Sequence, residues 1–178
     1  MEYKSYYCEL ENVNEYLDNY GVAVIKNILN ENECNLYIEK AWKNFNILTS
    51  KMEKPIDKNN PETWKTLYDL YPLHSMLIQH WGVGQWDFVW DIRCNKNVNN
   101  VFAKIWNCET NDLLTSFDGL SFHLPPEQTG RGWYRGNDWL HTDQSSEKKG
   151  LYTIQGFTTL YDINKYDASL CVFEGSHK

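Results

Sequence analysis

The feature that most restricts the fold is a change of periodicity near residue 110. Before it, apolar residues recur mostly at three- and four-residue steps, the mark of amphipathic helices. After it they come in short, loosely alternating runs closed by turn residues. The clearest helical stretch carries Cys34, Tyr37, Ile38, Ala41, Trp42 and Phe45, a face expected to pack on a sheet. Asn30-Glu31-Asn32-Glu33 precedes it, an N-cap with Glu three residues on: a capping box with Asn in place of Ser or Thr. Residues 9–20 read as a short surface helix. Val98, Val101, Phe102, Ile105 and Trp106 restore helical spacing over 97–107.

Two early stretches depart from that rule. Residues 22–25 are largely β-branched and read as a strand. In 86–93, Trp86, Phe88, Trp90 and Ile92 alternate with Asp87, Val89, Asp91 and Arg93, which predicts a strand with an aromatic core face. Residues 50–63, rich in Lys, Asn and Pro, predict a loop. Beyond 110, the segments 113–117, 120–124, 151–163 and 169–173 read as strands, with a turn at Asp118-Gly119. Helices followed by strands, without regular alternation, argue against a doubly wound α/β fold. Several short strands fit a sandwich or jelly roll. The expectation is one domain, 1–178, mainly β with N-terminal helices (α+β): 1–110 as helical support, 111–178 as the β core.

Composition narrows the function classes. The chain has 178 residues and 42% apolar content, enough for a sizeable core. A net charge of -7 with no basic stripe argues against a nucleic-acid partner. No apolar run approaches a membrane span, and the start lacks the apolar core of a signal peptide. Cys8, Cys34, Cys94, Cys108 and Cys171 are scattered and form no C-x-x-C. They read as reduced thiols of an intracellular, cytoplasmic protein. Eight Trp and twelve Tyr supply rings for a core and for a pocket lining.

The candidate chemistry lies in the last third. His141 and Asp143 are two apart, so an extended backbone points both to one face. His177 follows another strand-like run. Two imidazoles and a carboxylate are the donor set of a non-heme Fe(II) facial triad, and also suit a zinc hydrolase. Taken alone, His-x-Asp more readily fits a hydrogen-bonded histidine beside a turn-forming aspartate. His74, His80 and His123 have no partner at ligand spacing, and Gly82-Val83-Gly84 is too short for a phosphate loop.

With these residues in view, the chain resembles the phytanoyl-CoA dioxygenase-like family. The likeness runs through His141-x-Asp143, Gln155-Gly156 and Leu170-x-Val172-Phe173-Glu174-Gly175-Ser176-His177-Lys178. Residues 21–26 before the capped helix, and 113–119, also look like family segments. Glu174 stands where the family often has Pro. The resemblance implies a double-stranded β-helix with His141, Asp143 and His177 as metal ligands, and Fe(II) and 2-oxoglutarate as cofactors. The partners it implies are O2 and a small-molecule substrate that is hydroxylated. Related halogenases replace the carboxylate; Asp143 is present here. Phe157 or Gln155, on one strand face, would border the 2-oxoglutarate pocket. Arg131, Tyr134 and Arg135 would lie near its mouth, with Trp139 packing beside the ligands. The family's Arg or Lys for the distal carboxylate follows the last metal-binding His. This sequence stops one residue past His177, so the expectation is a fragment lacking its C-terminal strand or strands. A second reading is a non-catalytic binding or scaffold domain of the same fold.

Overall fold

Asn30 starts the element on which the rest packs. Its side chain accepts from the Glu33 amide at 3.0 Å, and the Glu33 carboxylate accepts from the Asn30 amide at 2.8 Å. The capping box therefore forms as expected, satisfying donors that a helix start leaves open. The computed structural model describes residues 6–70, 77–129, 140–165, 167 and 169–178. Its elements in chain order are β1 (Tyr7–Cys8), α1 (Val13–Tyr20), β2 (Val24–Ile25), α2 (Glu31–Leu48), α3 (Asp87–Arg93), α4 (Lys96–Trp106) and the single turn α5 (Pro126–Thr129). Short 3-10 segments cover Leu10–Asn12, Pro61–Leu70, Val83–Gln85 and Thr110–Asp112. β1 and β2 pair in parallel, Tyr7 against Val24 and Cys8 against Ile25.

The buried face of α2 is Tyr37, Ile38, Ala41, Trp42 and Phe45. It does not rest on a sheet. One side meets Ile56, Leu67, Ile78, Val83 and Leu124; the other meets Leu29, Phe88 and Val89. The centre is aromatic. Phe45 lies edge-on to Trp86 at 5.0 Å and against Phe122 at 4.6 Å, and Trp42 lies edge-on to Phe122 at 5.0 Å. The 50–63 loop reaches into this core through Ile56, which is fully buried. Its backbone cannot be left unpaired there. The Thr49 hydroxyl accepts from the Ile56 amide at 2.9 Å and donates to the Phe45 carbonyl at 2.8 Å. Asn46 donates to the Ile56 carbonyl at 2.7 Å.

The mainly β, jelly-roll expectation is overturned. Among the described residues helices dominate, and the β1–β2 pair is the one ladder. Residues 113–117, 151–163 and 169–173 carry strand-like sequence but form no ladder there. The reason is physical: a helix bonds its own backbone, whereas a strand needs a neighbour to receive its amides and carbonyls. Without a ladder, these runs expose Leu114, Tyr152, Phe157 and Phe173. The 120–124 stretch is intermediate. It keeps a period-two burial, Phe122 and Leu124 inward and Ser121 and His123 outward. A single bridge, Ile78 to Leu120, is its only β pairing among the described residues.

Residues 86–93 are also corrected: Asp87–Arg93 is helix α3, not a strand. Phe88, Val89 and Ile92 sit at helical steps on the core side. Asp87 in the first turn and Arg93 in the last complement the helix dipole. Gly84 has a packing role. A Cβ built on it would overlap the Asp118 carbonyl oxygen, and one on Gly119 would overlap the Ile78 carbonyl oxygen. Two glycines thus let the Asp118-Gly119 turn close onto the helical half.

Candidate metal centre

Two contacts suspend the His141 region from the helical core. Leu160 packs against both sides of the α2 cluster. The Trp42 indole donates to the Tyr161 hydroxyl at 3.4 Å. Between Asp143 and this anchor the chain makes a tight excursion closed by Gln144. Its amide nitrogen donates to the carbonyls of Gly150 at 2.7 Å and Lys148 at 3.3 Å, and its amide oxygen accepts from the Tyr152 backbone at 3.1 Å. A turn bond from Lys148 to the Ser145 carbonyl, at 3.0 Å, and Gly150 in a left-handed conformation complete it. The sequence reading missed Gln144. The available signal was its position, directly after Asp143 and before a polar run ending in Gly.

His141 and Asp143 do face each other: His141 Nε2 lies 3.2 Å from Asp143 Oδ1, and both side chains are about half-exposed. Gln155 donates its side-chain amide to Asp143 Oδ2. Asp143 therefore has one oxygen held by an amide and the other turned toward the imidazole. Donors in neighbouring positions of an octahedron, each about 2.1 Å from the ion, sit roughly 3 Å apart. The separation seen here fits two such positions.

His177 is elsewhere. Its Nε2 lies 3.0 Å from the carbonyl oxygen of Asp18, in the last turn of α1, and its ring covers Gly21. Among the described residues no group of three or more His, Cys, Asp or Glu stands close enough to share a metal ion. The structure thus brings together two of the three expected donors, joined by Gln155, and seats the third on the N-terminal helix. Gly21 reads from sequence as mere punctuation. Its left-handed φ of 76° caps α1, and it leaves room for the His177 ring.

The remaining candidates separate. Phe157 is exposed and His80 faces solvent. Arg93 donates to the Gly84 carbonyl at 2.9 Å and lies over the Trp90 ring, so its guanidinium is engaged in packing. His74, Arg131, Tyr134, Arg135 and Trp139 lie outside the described residues. No described helix is long and apolar enough to cross a membrane.

Comparison with known proteins places this geometry in context. No family model matches the chain, and no solved structure matches it. It is 30% identical over 161 residues to "Ava biosynthesis cluster protein O" of Aspergillus versicolor, a match covering 89% of this chain and 48% of that one. It is 24% identical over 202 residues to a Dictyostelium discoideum protein named "Putative phytanoyl-CoA dioxygenase", covering 92% of this chain and 54% of that one. The chain spans about half the length of the curated relatives it matches, and its similarity to a dioxygenase-named protein is distant.

Proposed function

We propose that this chain is part of an Fe(II)- and 2-oxoglutarate-dependent dioxygenase that hydroxylates a small molecule. The observation that carries the reading is the His141–Asp143 pair, 3.2 Å apart with Gln155 on the second carboxylate oxygen. The distant likeness to a protein named as a phytanoyl-CoA dioxygenase supports the reaction class. In this reading His141 and Asp143 would hold the ion, and His177, which lies on α1 in the structure, is the third expected donor. Iron held there would supply redox chemistry in which decarboxylation of the keto acid is coupled to oxidation of a C–H bond.

The chain's own residues set the stage. Gln155 fixes the Asp143 carboxylate, the kind of outer hydrogen bond that orients a metal ligand. Gln144 holds the turn that follows it. Phe157, two residues beyond Gln155, is the residue proposed to border the keto acid, and its ring is exposed.

The test is 2-oxoglutarate consumption by the iron-loaded protein, followed as succinate. Turnover that is lost in Asp143→Ala supports the proposal. Iron-loaded protein that neither consumes nor binds the keto acid would exclude it. A second reading, a non-catalytic binding domain, is favoured by one observation: His177 is hydrogen-bonded to α1 rather than joined to the pair. Metal binding without turnover would select it.

A further inference from the structure

We propose that Asp118-Gly119 is a site of spontaneous main-chain isomerisation, closed while the turn is docked on Gly84 and Ile78 and converted irreversibly to isoaspartate when the turn opens. The chemistry needs only water. The Gly119 nitrogen bonds to Asp118 Cγ and gives up its proton, and Cγ loses its hydroxyl as water, which closes a five-membered succinimide. Water then adds at the Asp118 main-chain carbonyl carbon. The bond from that carbon to the Gly119 nitrogen breaks, and the nitrogen takes back a proton. The main chain now runs through Cβ and Cγ, the old carbonyl becomes a free carboxylate, and the mass is unchanged.

The two residues suit the reaction. Gly119 has no side chain to shield its nitrogen, and Asp118 is exposed, so water reaches it. The Gly119 amide nitrogen lies 2.7 Å from Asp118 Oδ1, so nucleophile and carboxyl are already neighbours.

The docked turn holds them short of reacting in three ways. The Gly119 N–H donates to Oδ1, whereas an amide nitrogen attacks perpendicular to its peptide plane and not along its N–H. The carboxyl is kept ionised, chiefly by the Gln79 amide at 2.8 Å, then by the Gly119 amide and the Arg93 charge. An ionised carboxylate has no hydroxyl to lose. The peptide is also pinned, because Ile78 and the next residue, Leu120, exchange both backbone hydrogen bonds at 2.8 and 3.2 Å.

The product does not fit the same seat. The Asp118 carbonyl lies where a Cβ on Gly84 would be, and a Cβ on Gly119 would overlap the Ile78 carbonyl. Isomerisation turns the first carbonyl into a carboxylate and lengthens the main chain before Gly119 by one atom. Leu120 then falls out of register with Ile78. Local opening, reversible in itself, thus becomes permanent once the ring has closed.

The parent chain, Gln79→Ala and Asp118→Glu are incubated at neutral pH, with a parallel sample of the parent in urea. Isoaspartate is read as an isomer of unchanged mass in the peptide that contains Asp118, and as a methyl acceptor for isoaspartate methyltransferase. Gln79→Ala removes one exposed amide and is expected to convert about fivefold faster than the folded parent. The urea sample is expected to convert fastest. Asp118→Glu is expected to give none, since its ring would have six members. A folded parent that converts as fast as the urea sample, or no gain in Gln79→Ala, overturns the protection by the docked turn. No isoaspartate at this peptide in urea, or an equal yield from Asp118→Glu, overturns the site itself.

Discussion

The two halves of the chain handle the same problem, a buried or exposed backbone, in opposite ways. Up to residue 112 the described residues form helices and 3-10 turns, and they bury Phe45, Ile56, Leu67 and Val83 almost completely. Beyond residue 112 the described residues form no strand ladder, and many of their large apolar side chains stay in solvent: Leu114 is 100% exposed and Phe173 is 73% exposed. The difference shows that a helix closes its backbone bonds within its own segment and needs only packing to hold it, whereas alternation specifies a strand only when a partner strand is at hand. The candidate chemistry lies in the second kind of region, attached to the first at a few points.

The sharpest way to break this comparison is to remove one ring from each half. Phe45→Ala opens a cavity among Trp86, Phe122 and the α2 face, and is expected to cost about 3–5 kcal/mol. Phe173→Ala is expected to change stability by less than about 0.5 kcal/mol, because its ring is already in water. Urea unfolding of both variants checks the pair. Equal losses would mean that the second half is as tightly packed as the first.

The next largest effect is expected where the halves meet. Gly84→Ala would drive a methyl group into the Asp118 carbonyl, with a loss of about 1–3 kcal/mol for overpacking. The junction itself would shift, so the fluorescence of Trp86, close to Gly84 in sequence, is expected to change as well. A variant as stable as the parent would show that the 118–119 turn is not docked there.

Smaller still is the cap of α2. Asn30→Ala removes one side of the capping box and is expected to cost about 1 kcal/mol. Thermal unfolding followed by far-UV circular dichroism reads it. This element tests the first half on its own terms, since both partners of the box lie within residues 30–33.

What could be read from sequence follows the same division. The capping box and α2 were legible because every residue that makes them lies within a few turns of chain. Residues 86–93 misled because Trp86, Phe88, Trp90 and Ile92 alternate, while Phe88, Val89 and Ile92 fit a helix equally well. The decision came from packing against α2, which no window shows. The Thr49–Ile56 bonds, the close approach at Gly84 and the seat of His177 on Asp18 depend on residues brought together by the fold. Of the candidate site, the spacing of His141 and Asp143 suggested a shared face on a strand, whereas their approach to 3.2 Å comes at a bend with no strand. The attachment of Gln155 to Asp143 needed the turn closed by Gln144.

The smallest expected effect concerns acid. Asp118, in the turn that joins the halves, has its carboxyl held below the ordinary range, chiefly by the Gln79 amide, then by the Gly119 amide and the nearby Arg93 charge. A carboxylate with a lowered folded pKa adds stability that is fully present above its unfolded pKa. That stability fades as pH falls through the folded value, so the window lies at and below the ordinary carboxylate range. Because Asp118 is exposed, solvent screening limits the effect to less than about 1 kcal/mol. Asp118→Asn removes the titration and keeps a hydrogen-bonding oxygen. Its stability is expected to fall less steeply than the parent's between neutral and acid pH, measured by urea midpoints at each pH. Parallel curves for the two proteins would mean that the Gln79 contact does not persist in solution. The turn would then be held by the two glycines and the Ile78–Leu120 bridge, with Phe122 and Leu124 packed in the core beyond it.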